Sequence, residues 1–158
     1  MKSSARIHLL PFEEEPTDEY LLALHTNLEA YQIAFFLNQH CQTQFRRTDD
    51  IYLKNRAVSF ILFEWENQLL DQTVSLFSNR FISDEVQIKE NNTSLFDLPV
   101  RNQVSLIAEF KQVDFFIKSS HKDQIQRLLK SLQSWNALSM VYALTSSEIK
   151  DQLNLIFD

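Results

Sequence analysis

Glycine does not occur in this chain of 158 residues. Loops that cradle phosphate need it, because only glycine lets successive backbone N–H groups close on an anion and takes left-handed dihedrals without strain. The dinucleotide fingerprint, the P-loop, the kinase glycine-rich loop and the Gly-x-Ser-x-Gly nucleophile elbow are therefore all absent. Turns must instead use Asn, Asp, Ser and three prolines. Cysteine is nearly missing too: Cys41 alone forbids an internal disulfide and fits a reducing compartment. No apolar run approaches the length needed to cross a bilayer, so no membrane span is expected. The opening MKSSARIHLLPFEEEP holds too short an apolar stretch before its three Glu for a secretory signal. The four histidines, His8, His25, His40 and His121, share no ligand spacing, and no Cys-x-x-Cys accompanies them. Neither a structural zinc site nor any cofactor is expected.

What is present suits one packed domain over residues 1–158. Apolar residues make up 44% and charged residues 23%, and thirteen of the aromatics are Phe, so rings do much of the core filling. The net charge of -6 opposes phosphate backbones and disfavours nucleic acid as a partner.

The pattern predicts mostly strands. ARIHLLPF reads as a short strand that Pro11 ends. YLLALH reads as a buried strand, and a helix follows over about 27–41. Thr26 and Glu29 have the spacing of a capping box. This helix has a wide apolar face: Leu28, Tyr31 and Phe35 beside Ala30, Ile33, Ala34, Leu37 and Cys41. QFRRTDDIYLK, VSFILFEWE and TVSLFSNRFI read as three strands, and residues 83–102 as the longest loop. Ser120 and Asp123 predict a second cap, before Ile125, Leu128, Leu129 and Leu132 at i, i+3, i+4, i+7. LSMVYAL is a strand, and Thr145 with Glu148 caps a third, closing helix. Two strand-helix-strand units flanking a block of strands predict an α+β fold with a mainly antiparallel sheet and about three helices, ferredoxin-like or a related split arrangement.

SLIAEFKQVDFFIKSS, residues 105–120, reads as a hairpin turning at Lys111-Gln112. Phe110 then faces Val113, Ala108 faces Phe115 and Leu106 faces Ile117, so the apolar sides coincide. The same register sets Glu109 opposite Asp114. Carboxylates forced together can raise one pKa for acid–base work, or bind a divalent cation. The plainer reading pairs them with Lys111 or Lys118. Glu64 and Glu66 share a strand face, with Trp65 on the other, and Glu64 is a further candidate for such a site. FRRTDDIYLKNR places Arg46, Arg47, Lys54 and Arg56 among aromatics, a pattern that can hold single-stranded RNA, although Asp49 and Asp50 oppose it.

Ile107-Ala108-Glu109 followed by Val113-Asp114-Phe115 resembles the signature of the IPExxxVDY family of Bacteroidetes. The chain departs from it with Ala108 in place of Pro and Phe115 in place of Tyr. LHTNLEAYQIAFFLN (24–38), FILFEWE (60–66) and SLFD (94–97) are also similar, so the resemblance covers most of the chain. It implies that Glu109 and Asp114 are signature positions, and it implies a housekeeping, cytoplasmic setting. It implies no particular activity.

With no phosphate loop, metal spacing or nucleophile motif, the favoured expectation is a cytoplasmic, non-enzymatic module that binds another protein. Trp65 and Glu66 in FEWE, together with EFKQVDF, would form or support the contact. The alternatives are a carboxylate enzyme or divalent-metal binder using Glu109, Asp114 and Glu64, and an RNA-associated factor using the strand at 45–56.

Overall fold

The computed structural model describes residues 18–53, 58–83, 102–150 and 155–157. YLLALH gives β1 (Tyr20–His25), whose four inner residues, Leu21, Leu22, Ala23 and Leu24, are completely buried. A strand apolar on both faces is stable only inside a sheet that is covered on both sides. The remaining elements build that cover.

After β1 come α1 (Ala30–His40), β2 (Arg46–Arg47), β3 (Ile51–Leu53), β4 (Val58–Phe60), β5 (Leu62–Asn67), β6 (Gln72–Ser78) and β7 (Arg80–Ser83). Then follow β8 (Asn102–Ser105), a 3-10 turn at Ala108–Phe110, β9 (Phe115–Ser119), α2 (Lys122–Gln133), β10 (Met140–Thr145) and a second 3-10 turn at Ser146–Glu148. Six strands form one sheet in the order β10-β1-β9-β6-β5-β2, every neighbouring pair antiparallel. β1 and β6 therefore run parallel with β9 between them, and β9 and β10 run parallel with β1 between them. Each such pair is bridged by a helix. This doubled split arrangement over β10-β1-β9-β6 is the ferredoxin-like order, with β5 and β2 added at one side.

Alternation along the strands sorts the core into two layers. Leu22, Leu24, Val74, Leu76 and Ile117 meet Ile33 and Leu37 of α1 and Ile125, Leu128 and Leu132 of α2. Leu21, Ala23, Phe77 and Phe116 face the other way, against Phe60, Leu106, Ile107, Val113, Ile149 and Leu155. The second layer is closed by two small ribbons, β3–β4 and β7–β8, and by loops. Without glycine, left-handed backbone falls to Gln42 (φ 55°), just after α1, and to Asp71 (φ 49°), in the β5–β6 turn.

Several expectations are corrected. Residues 105–119 are not a hairpin: β8 pairs with β7, while β9 pairs with both β1 and β6. The reason is that Phe116 and Ile117 are apolar on opposite faces, and an interior position buries both, whereas a hairpin would leave β9 with one neighbour. Lys111-Gln112 does lie in a turn, closed by Val113 N–H on the Phe110 carbonyl at 2.9 Å. Among the described residues there are two α-helices: Thr145 and Glu148 do form their capping box, but on a 3-10 turn that Ile149 ends in extended backbone, and positions 151–154 of the expected closing helix lie outside the described residues. The first cap is shifted. Glu29 is the N-cap of α1, boxed with Gln32, while the Thr26 hydroxyl accepts from Leu28 N–H at 3.1 Å and donates to the Ala137 carbonyl. α2 starts after His121 with no side-chain cap; Ser120 Oγ lies against His121 Nδ1 instead. QFRRTDDIYLK and VSFILFEWE each split between two sheets, and TVSLFSNRFI breaks at Asn79. The strand at ARIHLLPF, most of the 83–102 loop, SLFD, Lys54 and Arg56 lie outside the described residues.

Candidate functional site

Asp114 and Glu109 are held by different parts of the fold. Asp114 precedes β9 and is half-buried. Its Oδ2 accepts from Thr26 N–H at 2.9 Å, its Oδ1 sits 3.0 Å from Arg80 Nη1, and its own N–H donates to the Leu24 carbonyl at 3.0 Å. Arg80 also donates to the Gln112 carbonyl at 2.7 Å. Glu109, exposed on the first 3-10 turn, accepts from the Lys150 backbone N–H. The predicted face-to-face pair is thus two separate clamps, one joining the ends of β1, β7 and β9, the other joining the 3-10 turn to the chain after β10.

Sequence reasoning missed the residue at the centre of the first clamp. Asn79, fully buried between β6 and β7, donates through Nδ2 to the carbonyls of Phe110 (2.9 Å) and Val113 (3.1 Å). Its Oδ1 accepts from Ile107 N–H at 2.8 Å, and its backbone bonds Asp114 and Leu106. The available signal was an Asn interrupting an apolar strand.

Glu64 belongs to a cross-sheet row. The registers set Arg46 beside Glu64, Glu64 beside Ser75, Ser75 beside Lys118 and Lys118 beside Leu21, all on the face away from the helices. Lys118 is largely buried there. Burial pushes its ammonium below the usual lysine range, and the charges of Glu19 and Glu64 pull it part of the way back. Glu19 Oε2 lies 3.4 Å from its Nζ, a charge attraction too poorly directed for a hydrogen bond. The Leu155 carbonyl accepts from Nζ, which sits 3.9 Å over the Phe157 ring.

Arg46, Glu64, Trp65 and Glu66 line an open groove of about 680 Å³ beside β2 and β5, with Gln42 and Gln44 on its wall. Trp65 itself is buried, its ring 6.1 Å from that of Phe45. Arg47 does not project freely: it is ion-paired with Asp50, donates to the carbonyls of Thr48 and Leu62, and lies over the Phe63 ring. Of the basic set, only Arg46 and Arg47 are described, and each faces a carboxylate.

A second groove is apolar. α1 buries Ala30, Ile33, Ala34 and Leu37, which leaves the second stripe of its wide apolar face outside. Tyr31 and Phe35 are each 63% exposed. Beside them Phe36 stacks on Trp135 with ring centroids 3.9 Å apart and planes 3° from parallel. With Leu28, these rings line a groove of about 480 Å³ whose polar members are Gln32 and Gln39. Its signal was legible as a helix face too wide for one core contact.

Among the described residues no three His, Cys, Asp or Glu are grouped to hold a metal ion. His25 Nε2 meets Tyr142 Oη at 3.4 Å, His40 packs on Phe36, and Cys41 is a buried free thiol. None of the described helices is long and apolar enough to cross a membrane. Comparison of the chain with protein-family profiles, with curated proteins and with solved structures gives no match.

Proposed function

We propose that this chain is a non-enzymatic module that binds another protein through the aromatic groove along α1. One observation carries the reading: Tyr31 and Phe35 stand mostly in solvent beside a stacked Phe36–Trp135 pair, in a groove with no charged side chain. Aromatic enrichment and depletion of charge are what distinguish the buried centre of an interface from ordinary surface. The groove follows one side of α1 for about three turns, which suits the apolar stripe of an amphipathic helix with anchors at i, i+3 or i+4, and i+7. The expected partner is such a helix, uncharged along its contact stripe. Cytoplasmic placement is part of the proposal and rests on Cys41 remaining a free thiol.

Asp114, Glu109 and Arg47 are engaged in holding their own chain, which favours this reading over carboxylate chemistry or RNA binding. The resemblance to the IPExxxVDY family fits as an architectural signature, Asp114 and Glu109 being the two clamps. Phe115, where the family has Tyr, is buried against the helix layer and needs no hydroxyl there.

The test is photocrosslinking in cells, with a photoactivatable phenylalanine placed at position 35 or, as a control, at position 52, where Tyr52 is also exposed. A defined adduct from position 35 alone, lost in a Tyr31→Ser background that keeps the native circular dichroism, is expected. Equal adducts from both positions, or none from position 35, would overturn the proposal.

A further inference from the structure

β10 is the last strand on its side of the sheet, and among the described residues nothing pairs with its open edge. The register identifies the groups that face outward. Ser146 N–H donates to the Glu19 carbonyl at 2.8 Å, and positions 146 and 19 continue the β1–β10 alignment. Bonded pairs alternate along an antiparallel ladder. Leu144, Tyr142 and Met140 therefore bond β1, while Thr145, Ala143 and Val141 turn their N–H and C=O groups outward. Glu148 Oε2 already accepts the Thr145 N–H at 2.7 Å. Both backbone groups of Val141 and of Ala143 remain, with the Thr145 carbonyl beyond them at the end of the strand.

The strand itself carries none of the charges, prolines or bulges that normally blunt such an edge. Met140-Val141-Tyr142-Ala143-Leu144-Thr145 contains no charge and no proline, and its pairing with β1 has no bulge. Met140 is 55% exposed and Ala143 is exposed as well. A strand of this kind is a template for another strand.

We propose that β10 is a homodimer interface, in which two copies pair antiparallel about a two-fold axis through Tyr142. The four groups of Val141 and Ala143 lie symmetrically about that residue. In this register Val141 exchanges both hydrogen bonds with Ala143 of the second copy, and the axis repeats the exchange. All four groups are satisfied, and the Thr145 amide stays with Glu148. Tyr142 then stands directly across from its counterpart, as an aromatic pair at a non-bonded position where side chains approach most closely. Met140 faces Leu144 of the second copy. Two copies with a net charge of -6 each meet along a strand without charge, so the contact adds no local repulsion. Self-complementarity about one axis is what a two-fold interface requires, and it favours a second copy over an unrelated peptide. The inference stands independently of the α1 groove.

Sedimentation of the full chain between about 5 and 200 µM is expected to show a reversible monomer–dimer equilibrium, since pairing through one strand buries little area. Ala143→Pro removes only an outward N–H, which an edge strand tolerates. It should weaken dimerisation about tenfold, through the two hydrogen bonds lost across the axis. Ala143→Lys, at an exposed side chain, provides a second variant that sets like charges beside the axis. Tyr142→Cys should give a disulfide-linked dimer under mild oxidation, and Ala143→Cys should not, which fixes the register. A monomer throughout the range overturns the proposal, as does a dimer indifferent to both Ala143 substitutions. Protection of the Val141 and Ala143 amides from exchange in a monomer would mean that the chain covers this edge itself, and would overturn it too.

Discussion

Asn79 shows what a single side chain can hold. Its amide satisfies two carbonyls and one N–H in a region with no regular ladder, between the end of β6 and the loop that leads into β9. A buried polar group left without its partner costs about 1–3 kcal/mol, and here three groups share one side chain. Asn79→Ala should therefore lower stability by about 3 kcal/mol or more, read from the midpoint of urea unfolding at unchanged slope. Asn79→Asp should cost a comparable amount, because a carboxylate can accept from Ile107 but cannot donate to the carbonyls of Phe110 and Val113. A loss under about 1 kcal/mol for both would show that the clamp is held by its other members. Asp114 belongs to the same construction. Its pairing with Arg80 and Thr26 gives a structural reason for a carboxylate just before β9.

At the level of elements, α1 illustrates both what was legible and what was not. Its apolar stripes, and those of α2, mark the helices directly, and the all-apolar β1 announces an interior strand. The first cap was misread because Thr26 satisfies the local pattern, yet its hydroxyl accepts from Leu28 N–H, two residues on, and donates to Ala137, more than a hundred positions away. Residues 105–119 were misread for the same reason: local parity favours a hairpin, while two distant strands, β1 and β6, offer β9 more burial. Tertiary competition of this kind leaves no mark on neighbouring residues. The end of α1 yields a direct prediction. Gln42 takes the left-handed position that follows a helix, where a side chain costs about 1 kcal/mol relative to glycine. Gln42→Gly should raise stability by about 0.5 kcal/mol, the remainder being offset by the greater freedom of glycine in the unfolded chain. Gln42→Val should lower it by about 1 kcal/mol or more, since β-branching is least compatible with that conformation. Thermal or urea unfolding of the two variants checks the order, and a reversed order would sink the assignment of strain to this position.

The whole molecule adds a pH dependence that no single element has. Lys118 lies within the sheet under Leu155 and Phe157, with its pKa lowered from the ordinary 10.5, first by burial. Below the folded pKa it is charged in both states, and the native state bears the full cost of keeping that charge out of water. As pH rises past the folded value the native ammonium loses its proton before the unfolded one does. The unfolded state then binds more protons, so stability climbs with pH up to about 10.5. Tyr142 acts in the opposite sense. Burial raises its hydroxyl above the ordinary 10.0, so the unfolded chain ionises first and stability falls above that pH. The two effects meet near pH 10 on the two strands that flank β1, Lys118 on β9 and Tyr142 on β10, giving a rise that ends near pH 10.5 and a decline that sets in above pH 10.0. Urea unfolding from about pH 8 to 11.5 should trace this maximum. Lys118→Met should flatten the rise and leave the decline, whereas Tyr142→Phe should do the reverse. A rise that survives Lys118→Met would show that the lysine reaches solvent, and that the segment 155–157 does not cover it as the structure places it.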